Sequence, residues 1–292
     1  MTSAPPIPGN APETSRRNAL IARARALNPH LADDDVAVSP HQGGRGEALD
    51  RLSRIDAIAY GRTRNDTDGA VSRLSPFLRH GVLTMADVRN AVLATVETPE
   101  TAERFVQQLA WRDYWQRLYA EMGEGVWNDR EAYKTGFEAG DYADDLPEDI
   151  ARAETGVAVI DHFLRELIET GWIHNHARLY LAGYVCHFRR VKWQAGARFF
   201  LTHLLDGDPA SNNLSWQWAA STFSNKPYYF NLENVQRFVG DGVDTSYGAN
   251  KVLGGSYEDI HVRLFPNLDP PPPRSGRRSR KSKGGRKRRL HT

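Results

Sequence analysis

The stretch from Thr101 to Met122 constrains the fold of this chain more than any other part of the sequence. Its apolar side chains fall on overlapping i, i+3 and i+4 rows of a single helix, at Phe105, Leu109, Trp111, Trp115 and Leu118. Because such a helix is apolar on much of its circumference, we expect it to lie inside the protein. A chain of 292 residues is long enough to bury it.

Other parts of the chain also carry helical spacing, and no convincing alternating strand separates them. Thr155 can cap a helix that Gly171 ends, since threonine is a common N-cap and glycine often follows the last helical turn. We therefore predict an all-α fold. Helices are expected over 46–65, 101–122, 157–169, 173–190 and 194–205.

The chain is expected to divide into three parts. Residues 1–42 are rich in Pro, Ala, Asn and Asp and form an N-terminal arm with one helical segment over 18–27. Residues 43–265 form the helical domain, although the helical spacing is lost after Phe230. Residues 266–292 form a Pro-rich linker and a disordered basic tail, because they lack the apolar residues needed to fold alone.

The net charge of +2 conceals a strong asymmetry. Ten of the 38 Lys and Arg residues lie in 274–292, which hold no acidic residue; the other 28 face 36 acidic residues and leave the body at about −8. An acidic body excludes a uniformly basic nucleic-acid coat, so nucleic-acid contacts must come from the tail or from a local patch. Basic runs of this kind also occur as merely solvated segments.

The remaining composition predicts a cytoplasmic protein. The single cysteine, Cys186, excludes an internal disulfide and a cysteine-based metal cluster, and it suits a reducing compartment. The first residues lack the apolar region of a secretory signal. The most apolar stretch, 179–188, is too short to span a bilayer, so no membrane contact is expected.

The segment GAVSRLSPFLRHG has two interpretations. Ser75 is expected to cap a helix with Pro76 at its first position, so that free backbone amides and the hydroxyls of Ser72 and Ser75 converge on one point. A phosphate fits such a point, and Arg73 could add charge. An ordinary capped helix explains the same residues.

The tryptophans also leave two interpretations open. All seven lie between 111 and 218, which is typical of a large aromatic core and equally of a site that stacks a flat ligand or conducts electrons.

No metal site is expected. Asp206 and Asp208, in LLDGDPASNN, lack the remaining ligands and the glutamate of an EF-hand loop. His174 and His176 lie two residues apart on a predicted helix, so they point to different sides and cannot hold one ion.

Four blocks of the sequence resemble, in the same order, the FAD-binding helical domain of the DNA photolyase and cryptochrome family. They span roughly 43–222 and are GGRGEALDRL with Tyr60 behind it, SRLSPFLRHGVLT, LAWRDYW, and TGVAVIDHFLRELIETGWIHNHARLYLAGYVCHFRRVKWQAGARFFLTHLLDGDPASNNLSWQWAAST. The resemblance implies an all-helical fold that holds bent FAD at the base of a cavity. It also implies a short form without the N-terminal antenna domain, and hence no antenna pigment.

The resemblance assigns roles to individual residues. FAD would be bound by Tyr60, Ser72, Leu74, Ser75, Gln108, Arg112, Trp172, Asn175, Arg178, Asp206, Asp208 and Asn212. Of these, the residues at the phosphates would be Ser72, Leu74 and Ser75. Arg178 and Asp206 would form an ion pair beside the flavin ring, and Asn212 would lie near flavin N5.

Further roles concern electrons and the lesion. Trp216 and Trp193 match two members of the family's electron-transfer chain, and Trp127 or Tyr142 is the nearest candidate for the third. A flipped-out pyrimidine dimer would stack in a cavity lined by Trp111, Trp172, Asn175 and Trp218. The catalytic set is therefore Trp216, Trp193, Asn212, Asn175, Trp218, Trp111 and Gln108.

The implied activity is that of a lyase that splits pyrimidine dimers under blue light by electron transfer from reduced FAD. Asn212 favours it, because repair enzymes of the family usually have asparagine there. A cryptochrome-like photoreceptor without repair is an alternative, favoured by Gln108 in place of the glutamate of dimer-specific photolyases. A third alternative is a helical nucleic-acid-binding module that has lost flavin.

Damaged DNA is the expected partner. The cavity would select the lesion, and the tail over 274–292 would supply the non-specific affinity that the acidic body lacks. His176 and Val71 replace a basic residue and a threonine of the family, which removes a phosphate contact. The protein is expected to act as a monomer associated with cellular DNA.

Overall fold

The computed structural model describes residues 12–27 and 39–269. The chain divides into two units, Met1–His41 and Gln42–Thr292, and the described helix of the first unit is α1 (Glu13–Leu27). The predicted polyproline stretch and basic tail begin at residue 270 and lie outside the described residues.

The second unit is helical, which confirms the all-α prediction. Its α-helices are α2 (Gly44–Ser53), α3 (Ala57–Thr63), α4 (Ser75–Arg79), α5 (Met85–Ala94), α6 (Glu103–Met122), α7 (Glu148–Ala151), α8 (Ala158–Thr170), α9 (Asn175–Gly183), α10 (Trp193–His203), α11 (Pro209–Ala220), α12 (Leu232–Phe238) and α13 (Tyr257–Leu264). Short 3₁₀ helices cover Pro99–Ala102, Gly123–Trp127, Ala139–Asp141 and Lys251–Leu253, and a π-helical turn covers Tyr184–Phe188.

Strand pairing is almost absent from the part of the chain that the structure describes: its one β-type pairing is a bridge between Ala143 and Val191. Over the same residues, no helix is both long enough and apolar enough to span a membrane.

Helix α6 does not lie inside, so the expectation for 101–122 was wrong. Phe105 is its buried side chain, whereas Trp111 and Tyr114 are 46% and 43% exposed. Aromatic residues count as apolar in a periodicity test, yet their rings are also stable at a surface where they contact one another. The helix packs on α3 and α11 and turns several large rings toward solvent.

The expected helix over 46–65 is interrupted and forms α2 and α3. The carboxylate of Asp56 accepts hydrogen bonds from the amides of Ile58 and Ala59 at 3.0 and 2.8 Å, which makes it the N-cap of α3. Leu49 and Ile58, two of the apolar residues at helical spacing in this segment, are 45% and 46% exposed. A capping aspartate therefore overrides the apolar spacing here.

Helices α12 and α13 lie where the sequence loses helical spacing after Phe230. Asn231 caps the first by accepting from the amide of Asn234 at 3.0 Å, and Ser256 and Asp259 form a capping box at the second. Helices of seven and eight residues make about two turns, too few for a periodic pattern. The polar residues that cap these two helices were the sequence signal that could have located them.

Helix α8 is close to its prediction at both ends. Its N-cap is Val157 rather than Thr155, because the Thr155 hydroxyl donates to Asp161 at 2.6 Å and accepts from the Val157 amide at 3.2 Å. Gly171 ends the helix with φ of 72°, the left-handed conformation that favours glycine.

The packing of α10 on α11 fixes two of the tryptophans. Gly196 of α10 contacts the indole of Trp216 on α11 so closely that a Cβ atom at residue 196 would overlap the ring. Trp193 and Trp216 are 0% and 2% exposed, as the core interpretation predicts, whereas Trp218 is 42% exposed. The tryptophans thus belong to both the core and the surface.

Substituting Gly196→Ala and Gly46→Ala should have opposite effects on stability. The added methyl at residue 196 collides with Trp216, and overpacking of this kind lowers the free energy of unfolding by about 1–3 kcal/mol. Gly46 lies in α2 with nothing near its Cβ position, so alanine there should raise that free energy by roughly 0.5–1 kcal/mol through helix propensity. Urea unfolding of both variants measures the difference; equal effects would contradict the close contact.

Candidate functional site

Residues 72–74 form a strained turn ahead of the short helix α4. Arg73 has φ of 51°, a left-handed conformation that costs a non-glycine residue energy and clusters at functional sites. Ser75 is the first residue of α4 and not its cap, which corrects the prediction; Leu74 holds the cap position without a side-chain bond. The Ser75 side chain lies beside Asp206 and helps to lower the pKa of that carboxyl.

Arg178 and Asp206 form the predicted ion pair. Arg178 Nη2 donates to Asp206 Oδ2 at 2.9 Å, and the two side chains are 24% and 4% exposed. Burial by itself would raise the pKa of Asp206, but the Arg178 charge and the bonds from Arg178 and Ser75 hold it below its ordinary value. Asp206 is therefore ionised at neutral pH, and its Oδ1 atom is buried without a hydrogen-bond partner among the described residues.

Asp208 joins α6 to α11 and is almost fully buried. It caps α11 by accepting from the Ser211 amide at 3.4 Å. The same carboxylate accepts from the Ser211 hydroxyl at 2.7 Å and from Gln116 Nε2 at 2.5 Å. Arg112 Nη1 lies 3.4 Å from the same carboxylate. The sequence analysis did not identify Gln116. Because Gln116 lies one helical turn after Arg112, the two share a helix face, and contact with the same carboxylate could have been expected.

Arg79 and His80, which the sequence analysis did not identify, hold α4 beside the loop that carries Asp206. Arg79 Nε donates to the Gly207 carbonyl at 2.6 Å, and His80 Nε2 lies 2.9 Å from the Leu205 carbonyl. Both contacts join parts of the chain about 125 residues apart, so no local sequence signal could reveal them. They fix the distance between Ser75 and Asp206.

Tyr60 and Ser72 line one open cavity of about 430 Å³. Its other lining residues are Glu47, Arg51, Arg54, Ile55, Asp56, Ala70, Val71, Arg73 and Phe105. Arg51 Nη1 donates to the Arg73 carbonyl at 3.4 Å, which supports the strained turn from behind. Arg51 pairs with Glu47 and Arg54 pairs with Asp50, so acidic residues balance part of the positive charge of this cavity.

Trp172 is 7% exposed and lies beneath the side chain of Arg73, whose guanidinium carbon is 4.2 Å from the ring centroid. Burial raises the pKa of Glu166, and the nearby Arg73 charge opposes the shift. This cation–π contact covers a ring that the resemblance assigns to an open cavity wall.

Asn212 is fixed by its own amide nitrogen. The Nδ2 atom donates to the Ala197 carbonyl and to Asn213 Oδ1, each at 3.0 Å. These two bonds use both amide hydrogens, so the carbonyl oxygen is the group that Asn212 can offer to a ligand. Asn213 Nδ2 and Trp216 Nε1 are buried and have no hydrogen-bond partner among the described residues.

Trp193 stacks on Trp127, with ring centroids 6.3 Å apart and planes 8° apart. Trp193 Nε1 donates to Asp129 Oδ1 at 2.6 Å, and Gln194 Nε2 donates to the same oxygen at 3.1 Å. Tyr142, the other candidate third member, stacks instead on Tyr133 at 4.3 Å. Of the two candidates, Trp127 is therefore the one stacked directly on Trp193.

Gln108 and Asn175 take no part in the hydrogen-bond networks of the described residues. Gln108 is half-buried on α6 and Asn175 is exposed at the start of α9; neither side chain makes a hydrogen bond within the described ranges. Leu74 is 2% exposed and contributes through packing.

The helix predicted to carry both histidines begins at Asn175, and His174 is its N-cap. His174 Nδ1 accepts from the His176 amide at 3.0 Å, and burial lowers the pKa of His174 to about 4. His176 Nδ1 lies 2.7 Å from the Asn65 carbonyl, and its ring stacks on Tyr180. In the part of the chain that is described, no three His, Cys, Asp or Glu side chains are placed to hold a metal ion.

Comparison with known proteins points to one family. Residues 105–244 match the family model described as the FAD binding domain of DNA photolyase. A deoxyribodipyrimidine photo-lyase of Streptomyces griseus is 36% identical over 219 residues, which cover 72% of this chain and 47% of that protein.

Solved structures agree with this match. A class III photolyase of Agrobacterium tumefaciens is similar with a TM-score of 0.58 and 26% identity, over 76% of this chain and 44% of that one. A photolyase of Sulfolobus tokodaii, determined with two FAD molecules, has a TM-score of 0.57 and 30% identity over 77% and 51%. The chain spans about half the length of these proteins or less.

Asp206→Asn should lower the free energy of unfolding at pH 7 by about 3–5 kcal/mol, because it leaves the Arg178 charge without its buried partner. Since the pKa of Asp206 is depressed in the folded state, its contribution is complete above the unfolded pKa near 3.9 and disappears as pH falls through the folded value. The difference between variant and parent should therefore shrink below about pH 4.

The matched control is Asp113→Asn, which breaks the exposed pair with Arg117 on α6. This control should leave the urea midpoint unchanged. A large effect of the control, or a pH-independent effect of Asp206→Asn, would contradict the role of the buried pair.

Proposed function

Because the chain belongs to the family of FAD-binding helical domains of DNA photolyases and cryptochromes, we propose that it uses FAD and blue light to split pyrimidine dimers in DNA. The observation that carries the proposal is the buried cluster of Ser75, Arg178 and Asp206, with a carboxylate oxygen that no described residue satisfies. A buried, ionised group in this state fits a site completed by a ligand with hydrogen-bond donors.

The residues present fit FAD. The orphaned Asp206 Oδ1 can accept from a flavin ring, and the Asn212 carbonyl offers a second acceptor. The hydroxyls of Ser72 and Ser75 and the backbone at Leu74 suit phosphates. The other proposed contacts are Tyr60, Gln108, Arg112, Trp172, Asn175, Arg178 and Asp208.

FAD, when bound, would supply the light absorption and the electron that splitting a dimer requires. The chain supplies position and electrostatics. Arg178 and Asp206 stay ionised as a pair, and Gln116 and Arg112 hold Asp208 at the start of α11. Asn212, with both amide hydrogens bonded to Ala197 and Asn213, presents an acceptor and favours a protonated ring nitrogen.

Trp111 and Trp218 would contact the lesion. They are 46% and 42% exposed, so their faces are open to a base. Asn175, exposed at the start of α9, would line the same cavity. Trp172 lies beneath Arg73, so it would have to share its ring with that guanidinium.

Trp193 and Trp216 would carry electrons between the surface and the cofactor cavity. Trp127 supports this path as the outer member, because its plane is nearly parallel to that of Trp193. The Asp129 carboxylate beside the Trp193 N–H stabilises positive charge on that ring.

A cryptochrome-like photoreceptor is the second candidate, and Gln108 is the observation that favours it. A neutral amide at this position cannot donate a proton to a dimer as a carboxylic acid can. This candidate keeps the flavin and the electron path but not repair.

The deciding experiment illuminates reduced full-length protein with blue light in the presence of an oligonucleotide that contains one thymine dimer. Light-dependent loss of the dimer, absent in the dark, is expected. Flavin photoreduction without repair would favour the photoreceptor, and a colourless protein without flavin absorbance would exclude both.

Trp193→Phe should slow flavin photoreduction at least about tenfold and leave flavin content unchanged, since the ring packs in the core and lies at the Asp129 contact. Trp127→Phe should slow it as well. Tyr142→Phe, which removes only the hydroxyl bonded to Thr135, serves as the control. Unchanged rates in both tryptophan variants would contradict the path.

Deleting residues 274–292 should weaken binding to undamaged DNA and flatten its dependence on salt, because ten positive charges are removed. Fluorescence anisotropy at several salt concentrations measures the slope. Superimposable curves for the deletion variant and the full chain would show that the tail is only a solvated segment.

A further inference from the structure

An aromatic strip runs along the exposed side of α6 to Phe223, three residues after the end of α11. We define the strip as Trp111, Tyr114, Trp115 and Phe223. Trp111 and Trp115 are stacked, with centroids 5.3 Å apart and planes at 27°. Tyr114 and Phe223 lie 5.1 and 5.9 Å from the Trp115 ring.

The strip is open to solvent at one end and basic at the other. Trp111 and Tyr114 are 46% and 43% exposed, while Trp115 and Phe223 are half-buried. The guanidinium of Arg130 lies over the Phe223 ring at 5.6 Å. Across residues 12–27 and 39–269, no carboxylate lies within ion-pair distance of Arg130.

The neighbouring cations are neutralised. Arg112, Arg117 and Lys134 pair with Asp208, Asp113 and Glu131, respectively. Together with the acidic body, these pairs leave little positive charge near the strip for the two phosphate backbones of a duplex. Affinity for a nucleic acid on this face must come mainly from the rings.

Aromatic side chains bind unpaired bases by stacking on their faces. The faces of the bases in a duplex are already stacked on one another, whereas a single strand presents free faces and half the density of phosphates. A row of rings in contact, which ends at an arginine without an ion-pair partner among the described residues, matches such a strand: bases contact the rings and a phosphate contacts the cation.

We propose that the strip binds the unpaired nucleotides that flank the lesion, so that the preferred substrate is single-stranded or locally unpaired DNA. The inference rests on the proposed function, because Trp111 is both the solvent-exposed end of the strip and a wall of the proposed lesion cavity. Tyr114, Trp115, Phe223 and Arg130 extend that site beyond the lesion itself.

The test uses full-length protein and a labelled, lesion-free thymine oligonucleotide, as a single strand and as a duplex, in anisotropy titrations. The parent should bind the single strand at least several-fold more tightly than the duplex. Tyr114→Ala and Trp115→Ala should each weaken single-strand binding by roughly five- to hundredfold, the loss expected for one stacked base, and change duplex binding less than about twofold.

Controls separate stacking from folding and from charge. Trp115→Phe keeps a ring and should restore most of the affinity, and Tyr247→Ala removes an aromatic residue that is 62% exposed outside the strip and should have no effect. The ratio of variant to parent Kd should be the same at about 0.05 M and 0.3 M salt, because stacking releases no counterions.

Three results would overturn the inference. They are equal single-strand binding by the Tyr114→Ala variant and the parent, equal parental affinity for strand and duplex, and a strip that proves to hold a second copy of the chain in size-exclusion measurements. Since the oligonucleotide carries no lesion and the assay is done in the dark, strand binding can succeed where repair fails, and the two proposals fall separately.

Discussion

The buried pair of Arg178 and Asp206 is the interaction on which the arrangement of the site depends. It joins α9 to the loop before α11, and through Ser75 it also reaches α4. Arg79 and His80 hold the same loop by its backbone. A charged pair away from water is costly unless its remaining hydrogen-bonding atoms are satisfied, so the orphaned oxygen of Asp206 is the clearest sign that the protein is completed by a ligand.

The sequence predicted the central helices more accurately than it predicted the surface. Helical spacing and caps located α8, α10 and, together with its π-helical turn, α9 within a few residues, and the resemblance predicted the ion pair of Arg178 with Asp206. The contacts of Arg79 and His80 could not be predicted, because each joins distant segments of the chain that only the fold brings together. Capping side chains, such as Asp56 and Ser256, decided boundaries that apolar spacing misjudged.

Helix α6 shows why burial is harder to predict than helicity. The residues that made it seem internal are mostly aromatic, and a pattern of apolar positions cannot tell a core from a stacked surface. In the function that we propose, the aromatic face of α6 and the basic residues of 274–292 would divide nucleic-acid recognition between two kinds of force. One is short-ranged and nearly independent of salt, and the other is long-ranged and screened.

The two buried indoles, Trp193 and Trp216, differ in the hydrogen bonding of their N–H groups. Trp216 is pressed against Gly196, and no described residue accepts its Nε1 hydrogen, while Trp193 donates to the Asp129 carboxylate. Positive charge is more stable beside a carboxylate than in an apolar pocket. In the proposed electron path, this hydrogen bond would make positive charge more stable on Trp193 than on Trp216, so that a hole formed at Trp216 would move to Trp193 and return slowly.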